Sequence, residues 1–411
     1  MILFCGIPSE PPMAMALAAA AEAEVRHVVF NQREAAFSDL LLEQQGGRWS
    51  GTLWTQETAW PLKDFTGVYS RMIDYGGLPE SRARGRRQAD PQAVKHSAFL
   101  HSVLADWIEM AECRVLNKAE AMASNGSKPY QAQWIQRAGF LVPPTLVTNE
   151  PDEAVDFARR HGPVVYKSTS SIRSIVREFD SSHPEKLSKL RALPTQFQAR
   201  ITGTNIRVHV VGNRLFPTEI ATTAVDYRYA HRDGEQVEMR EIELPTEIAV
   251  RCVRLSQALC LPFCGIDLMR TPDDEYYCFE VNPSPAYSYY EQETGQPIAR
   301  AVVDYLAGKQ ETSMFNVKVI ENWADITGRL VAFRSHPELS GYVIATLAVF
   351  TVNGVPGFPN LLEYAKGQTI EVNVPAAKSV ELEGAKGTQV SWRVRKAGPT
   401  SIFAHPDLCV P

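Results

Sequence analysis

The sequence predicts an α/β protein in three parts, on three observations. Strand and helix patterns alternate through the first hundred residues. A hairpin with acidic residues on one face fills residues 264–285. The chain turns strand-rich after Gly308. The expected divisions are 1–116, 117–308 and 309–411, in line with roughly 100–200 residues per domain.

Residues 2–7 read as a short apolar strand, 13–24 as an alanine-rich helix and 25–30 as a second strand, while 67–70 ends a third. Such alternation implies a parallel sheet covered by helices, a Rossmann-like lobe. No GxGxxG follows the first strand, which leaves a dinucleotide site little support. Residues 81–87 (SRARGRR) carry four arginines. They read as a solvated loop, or as a docking patch whose guanidinium forks suit an acidic partner. Residues 90–114 show helical apolar spacing through Phe99, Leu100, Val103, Leu104, Trp107 and Ile108, a core-facing helix.

Ser127-Lys128-Pro129 opens a further helix, with Ser127 as N-cap and proline in the first turn; it ends near Gly139. A helix over 151–161 and a strand over 164–167 follow. Several β segments run up to Cys278, and a last helix covers 298–306. Beyond Gly308 come strands at 342–352, 369–374 and 389–394, separated by turns such as Val355-Pro356-Gly357.

Among the 411 residues 45% are hydrophobic and 22% charged, a globular composition. Lys+Arg number 42 against 47 Asp+Glu, so no basic excess signals nucleic-acid binding. Seven scattered cysteines without a CxxC argue against a disulfide framework or a zinc site and for reduced thiols in the cytoplasm. The N-terminus lacks the basic region of a signal peptide. No apolar run reaches the roughly 18–20 residues of a membrane span. A homo-oligomer is compatible with the sequence.

The hairpin is the most informative stretch. Thr271-Pro272-Asp273-Asp274 is a strong turn signal between two apolar β runs. A centre between Asp273 and Asp274 pairs Asp267 with Glu280 and Gly265 with Asn282. Alternation then puts Asp267, Glu280 and Asn282 on one face, and Phe279 and Val281 with Ile266 and Leu268 on the other. Opposed carboxylates repel at Cβ separations of roughly 4.5–5.5 Å. A divalent cation would relieve that repulsion, and hard oxygen donors favour Mg²⁺ or Mn²⁺ over zinc. The alternative is a solvent-facing hairpin whose acidic pair is incidental.

An Asp followed on the next strand by Glu-x-Asn, here Asp267 and Glu280-Val281-Asn282, resembles the metal-binding end of the ATP-grasp ligases. The likeness covers about 116–308, including glutathione-synthetase-like members. It is narrower toward the graspetide (microviridin-type) peptide ligases through residues 162–167, Phe197-Gln198, 206–212, Asp226-Tyr227-Arg228 and 291–298. It implies an ATP-grasp fold with an N-terminal pre-ATP-grasp lobe. The β-rich 309–411 lies outside it. Lys128 and Lys167 resemble the lysines that touch nucleotide phosphates. Gln198 sits where the hinge between lobes lines the adenine pocket. Arg207 resembles the arginine that stabilises the transferring phosphate. Residues 168–174 contain no glycine, so a phosphate loop there would rely on hydroxyls or on Arg173. Arg228 reads as a grip on the acceptor carboxylate or as a structural ion pair. Tyr287, Tyr289 and Tyr290 read as a cleft wall or as loop packing, and His209 as a satisfied sheet histidine.

The resemblance implies ATP and Mg²⁺ (or Mn²⁺) as cofactors and a carboxylate activated as an acyl phosphate. An amine or hydroxyl then attacks to give an amide or ester. Three readings follow: a graspetide-type macrocyclase acting on a ribosomal peptide, an ATP-grasp ligase joining small molecules or amino acids, and a non-catalytic nucleotide- or peptide-binding protein.

Overall fold

The computed structural model describes residues 1–81, 90–168, 177–180, 182, 184–221, 237–309, 322–336, 341–356, 358–396 and 401–405, with Arg48, Ser168 and 184–186 as backbone only. Arg173, Arg228 and the arginines of residues 82–87 lie outside the described residues. Two compact units result, Met1–Ser313 and Met314–Pro411.

The first unit opens with β1 (Ile2–Gly6), α1 (Pro11–Glu22) and β2 (His27–Asn31). A meander of β3 (Ser38–Gln45), β4 (Arg48–Thr55) and β5 (Thr58–Pro61) precedes β6 (Gly67–Ser70). Then come α2 (Pro91–Met110) and β7 (Arg114–Leu116). The parallel sheet runs β2-β1-β6-β7, as the strand–helix alternation requires. The meander departs from the expected alternation. Its hairpin turns at Gly46-Gly47, both at positive φ, the primed-turn geometry that glycine accepts without strain. Leu40 and Leu42 pack inward around buried Leu53, so alternation with period two was present there.

The middle of the chain holds α3 (Ala119–Met122), α4 (Lys128–Arg137), β8 (Thr145–Thr148), α5 (Pro151–His161) and β9 (Val164–Ser168). It continues with β10 (Arg177–Glu178), α6 (Pro184–Leu190) and β11 (Thr195–Ala199). These strands form the sheet β10-β9-β11-β8. The Ser127 hydroxyl accepts from the Tyr130 N–H, the expected cap.

Next come β12 (Thr204–Val211), β13 (Arg214–Ala221), β14 (Glu238–Glu241), α7 (Thr246–Ala258), β15 (Phe263–Arg270) and β16 (Tyr276–Asn282). They build an antiparallel sheet in the order β14-β13-β12-β15-β16. Helix α7 replaces part of what reads in the sequence as β structure. Its β-branched residues favour strands locally, but Ile248, Cys252, Leu255 and Leu259 recur at helical spacing and pack onto the sheet. One face of the sheet packs on α4 and α7 through Ile206, Val208, Val210, Ile266 and Val281. The other meets α8 (Ser288–Thr294) and α9 (Ile298–Leu306), with Val211, Phe263, Tyr287 and Val302 in its core.

The second unit is a closed barrel, β17-β18-β19-β21-β20, of β17 (Ala324–Ser335), β18 (Tyr342–Gly354), β19 (Thr369–Pro375), β20 (Gln389–Lys396) and β21 (Ile402–Ala404), with α10 (Ser379–Ala385) between β19 and β20. Leu330, Ala345, Leu347, Val372 and Val394 fill its core. No described helix is long and apolar enough to cross a membrane.

Candidate functional site

The hairpin register is the expected one where the chemistry sits: Asp267 opposes Glu280 and Gly265 opposes Asn282. A bulge then shifts the ladder, so Leu268 pairs with Cys278 and Phe279 is the extra residue. The expectation that Phe279 shares the apolar face with Val281 is therefore corrected. Cys278 takes that place, fully buried beside Ile266 and Leu268, while Phe279 is half-buried.

Register across four strands lines the side chains up in rows. The first row is Thr218, Arg207, Asp267 and Glu280; the second is Phe216, His209, Gly265 and Asn282. Arg207 Nη1 donates to Asp267 Oδ1 at 2.6 Å, and Lys128 Nζ donates to Glu280 Oε2 at 2.9 Å. The repulsion between the two carboxylates is thus offset in the chain itself by two cations. Lys128 also donates to Asn125 Oδ1, and Asn282 Oδ1 accepts from the Ser284 N–H at 2.9 Å.

Gly265 is a functional position that the sequence reading passed over. A Cβ there would lie 2.0 Å from Arg207 Nη2. The guanidinium lies across the strand in the space this glycine leaves, with the Tyr290 ring 5.9 Å from its carbon. A glycine inside a strand is the signal that could have exposed this close approach.

His209 departs from the expected satisfied histidine. It is fully buried, neither ring nitrogen has a hydrogen-bond partner among the described residues, and its ring meets Tyr290 edge-on at 4.7 Å. Burial and then the Arg207 charge push its pKa well below the ordinary 6.5. The unfolded chain binds a proton below about pH 6.5 that the folded chain refuses, so stability falls as pH drops beneath that value. The slope approaches about 1.4 kcal/mol per pH unit. Denaturant melts of His209→Phe are expected to lose that share of the pH dependence; a variant with the parent slope would show that the proton uptake lies elsewhere.

The tyrosines divide between the two roles. Tyr287 is buried and donates to the Pro12 carbonyl at 2.6 Å, a packing role; Tyr290 walls Arg207; Tyr289 is exposed. Arg71 donates to both Glu10 carboxylate oxygens and to the Pro285 carbonyl, tying the end of β6 to the segment after β16.

Lys167 is buried in β9, and Gln198 is buried in β11, where it donates to Thr145 Oγ1 at 3.1 Å. Both belong to the sheet of the middle segment, whereas Arg207, Asp267, Glu280 and Asn282 belong to the sheet that follows. The six described cysteines are free thiols. Burial, then Cys252 and then the charges of Asp267 and Glu280 hold the Cys278 thiol protonated, so it offers no thiolate.

Residues 126–306 match the family model for the RimK-like ATP-grasp domain. A probable alpha-L-glutamate ligase of Vibrio parahaemolyticus is 23% identical over 297 residues, 69% of this chain and 95% of that protein. Another, of Teredinibacter turnerae, is 27% identical over 227 residues, 53% of this chain and 74% of that protein. Among solved structures, a Chryseobacterium gregarium RiPP-associated ATP-grasp ligase, in complex with ADP and a leader and core peptide, superposes with a TM-score of 0.64. It shares 23% identity and covers 75% of this chain and 97% of its own. The macrocyclase MdnC of Microcystis aeruginosa, bound with its precursor peptide MdnA, gives 0.62 at 20% identity over 75% of this chain and 100% of its own. At these identities the structural likeness shows the fold, which is ATP-grasp. Residues 126–306 are thus a RimK-like ATP-grasp domain, and the ligase names of the relatives agree with it.

Proposed function

We propose that this ligase activates a side-chain carboxylate of a ribosomal peptide and joins it to a Ser, Thr or Lys side chain of the same peptide. The observation that carries the reading is the row Arg207, Asp267 and Glu280, with Asn282 beside it and Lys128 at its edge. The peptide-bound ligases of the same fold support the substrate class. In this reading residues 1–116 form the pre-ATP-grasp lobe, 117–308 the ATP-grasp domain and 309–411 an accessory domain.

Asp267, Glu280 and Asn282 fit a hard divalent cation. Among the described residues no three His, Cys, Asp or Glu come together as a metal cluster; in this reading the Asn282 amide is the third protein donor. Its oxygen keeps a second lone pair after accepting from Ser284. A bound Mg²⁺ or Mn²⁺ neutralises phosphate charge there.

The chain's own groups do the rest by position and charge. Lys128 and Lys167 offset the polyphosphate. The Arg207 fork faces the γ-phosphoryl group as it passes to the carboxylate oxygen, giving an acyl phosphate and ADP. A hydroxyl or amine then attacks the acyl carbon, expels phosphate and closes an ester or amide. Gln198 marks the adenine side; Arg173 and Arg228 keep their assignments to phosphate and acceptor carboxylate as proposals.

A second reading, transfer of an amino acid to an acceptor, is favoured by the names of the sequence relatives. Mass spectrometry of a peptide encoded beside the gene, incubated with the protein, ATP and Mg²⁺, separates the two. Internal condensation removes one water, about 18 Da, per bond. Addition of an amino acid raises the mass. A peptide that only gains mass would overturn the macrocyclase reading.

A further inference from the structure

Strand β16 is the outer strand of its sheet, yet its free edge is covered residue by residue. The Leu141 N–H donates to the Tyr276 carbonyl, and the Cys278 N–H donates to the Leu141 carbonyl. Past the bulge, Gln131 takes over. Its Nε2 donates to the Val281 carbonyl at 2.8 Å, and its Oε1 accepts from the Val281 N–H at 2.9 Å. Then Asn117 Nδ2 donates to the Pro283 carbonyl at 2.6 Å. Two buried side-chain amides therefore stand where a sixth strand would be. Gln131 is 1% exposed and binds the residue between Glu280 and Asn282.

Position makes this pin consequential. The bulge at Phe279 interrupts the β15 ladder just before Glu280, and bulges bend and twist a strand. A one-residue slip would turn Glu280 and Asn282 toward the apolar face. Gln131 lies three residues after Lys128, hence on the same side of α4. One helix thus grips the strand's backbone at Val281 and its carboxylate at Glu280.

We propose that Gln131 is a positioning residue that locks β16 at Val281 and so holds Glu280 and Asn282 where one divalent cation can bridge them. The inference rests on the metal assignment made above. The test is ATP binding by calorimetry, with Mg²⁺ titrated and again in EDTA, on the parent, Gln131→Met and Gln131→Glu. Gln131→Met loses both bonds. Gln131→Glu keeps the shape and the acceptor for the Val281 N–H. The Mg²⁺ concentration for half-maximal binding is expected to rise about 10- to 100-fold in Gln131→Met, the usual range for losing a partner behind the ligands, and by less in Gln131→Glu. ATP binding in EDTA should stay within about twofold, since a support behind metal ligands acts only through the metal. Should Gln131→Met not fold, Gln131→Glu decides alone. Parent Mg²⁺ dependence in the folded variants, or an equal loss in EDTA, overturns the role of Gln131. A parent protein whose ATP binding ignores Mg²⁺ overturns the metal assignment and this inference with it.

Discussion

Replacing Glu280 by Gln and Asn282 by Ala together is expected to abolish ATP turnover, a fall of about a thousandfold or more, while the fold survives. On the proposed metal assignment two of the three hard donors go, and with them the charge compensation that phosphoryl transfer needs, worth several kcal/mol. The fold survives because the Glu280 contact with Lys128 is only one of several holds on the strand. The backbone of β16 is bound by the β15 ladder, by Gln131 and by Asn117. Both side chains are only half-buried. An amide at position 280 still accepts from Lys128, so the stability cost stays near about 1 kcal/mol. Asp267 keeps Arg207 in place at 2.6 Å. The measurement is a coupled ADP-release assay alongside a thermal melt. ATP turnover at the parent rate in a folded double variant would remove Asp267, Glu280 and Asn282 from the metal site.

The hairpin shows how far the sequence reaches. Its turn fixed the centre, and alternation fixed the faces, so the Asp267–Glu280 and Gly265–Asn282 pairs were legible. Legibility stopped at Phe279, because a bulge answers to packing of the strand against its surroundings rather than to residue pattern. Helix α7 was hidden by β-branched residues whose local preference the tertiary contacts override. The meander was hidden in a segment whose Gly46-Gly47 turn passed unread. Strands beyond residue 308 were legible one by one, but closure into a barrel depends on pairings such as Ala324 with Val394, 70 positions apart. Of the candidate site, the acidic face of the hairpin could be read from the turn and from alternation, whereas Lys128, Lys167 and Arg207 were singled out by the family resemblance. Gln131 could not be read, since it matters for the strand edge it touches, and Gly265 left only the hint of a glycine inside a strand, not the guanidinium it makes room for.

Gly265→Ala is the smallest change expected to disable the site. The added methyl carbon would lie 2.0 Å from Nη2, 2.3 Å from Cζ and 2.5 Å from Nε of Arg207. No rotation of a methyl relieves contacts on three atoms of one rigid plane, so the guanidinium must leave its place over the strand. Arg207 is 4% exposed, with the Tyr290 ring 5.9 Å from its Cζ, which leaves little room for retreat. Its ion pair with Asp267 is disturbed as well. Breaking a buried pair of this kind costs about 3 kcal/mol, so the melting temperature should fall. The larger effect is on the chemical step. An arginine fork aimed at developing phosphate charge contributes about 100- to 1000-fold, and Gly265→Ala is expected to lose that factor in kcat with ATP affinity little changed. Arg207→Lys should lose about as much, because an ammonium cannot reproduce the planar fork. The two changes act through one group, so the double variant is expected to be no slower than the worse single variant, whereas independent sites would multiply. A Gly265→Ala enzyme that works at the parent rate would mean that Arg207 does its work from another position than the one it holds over β15.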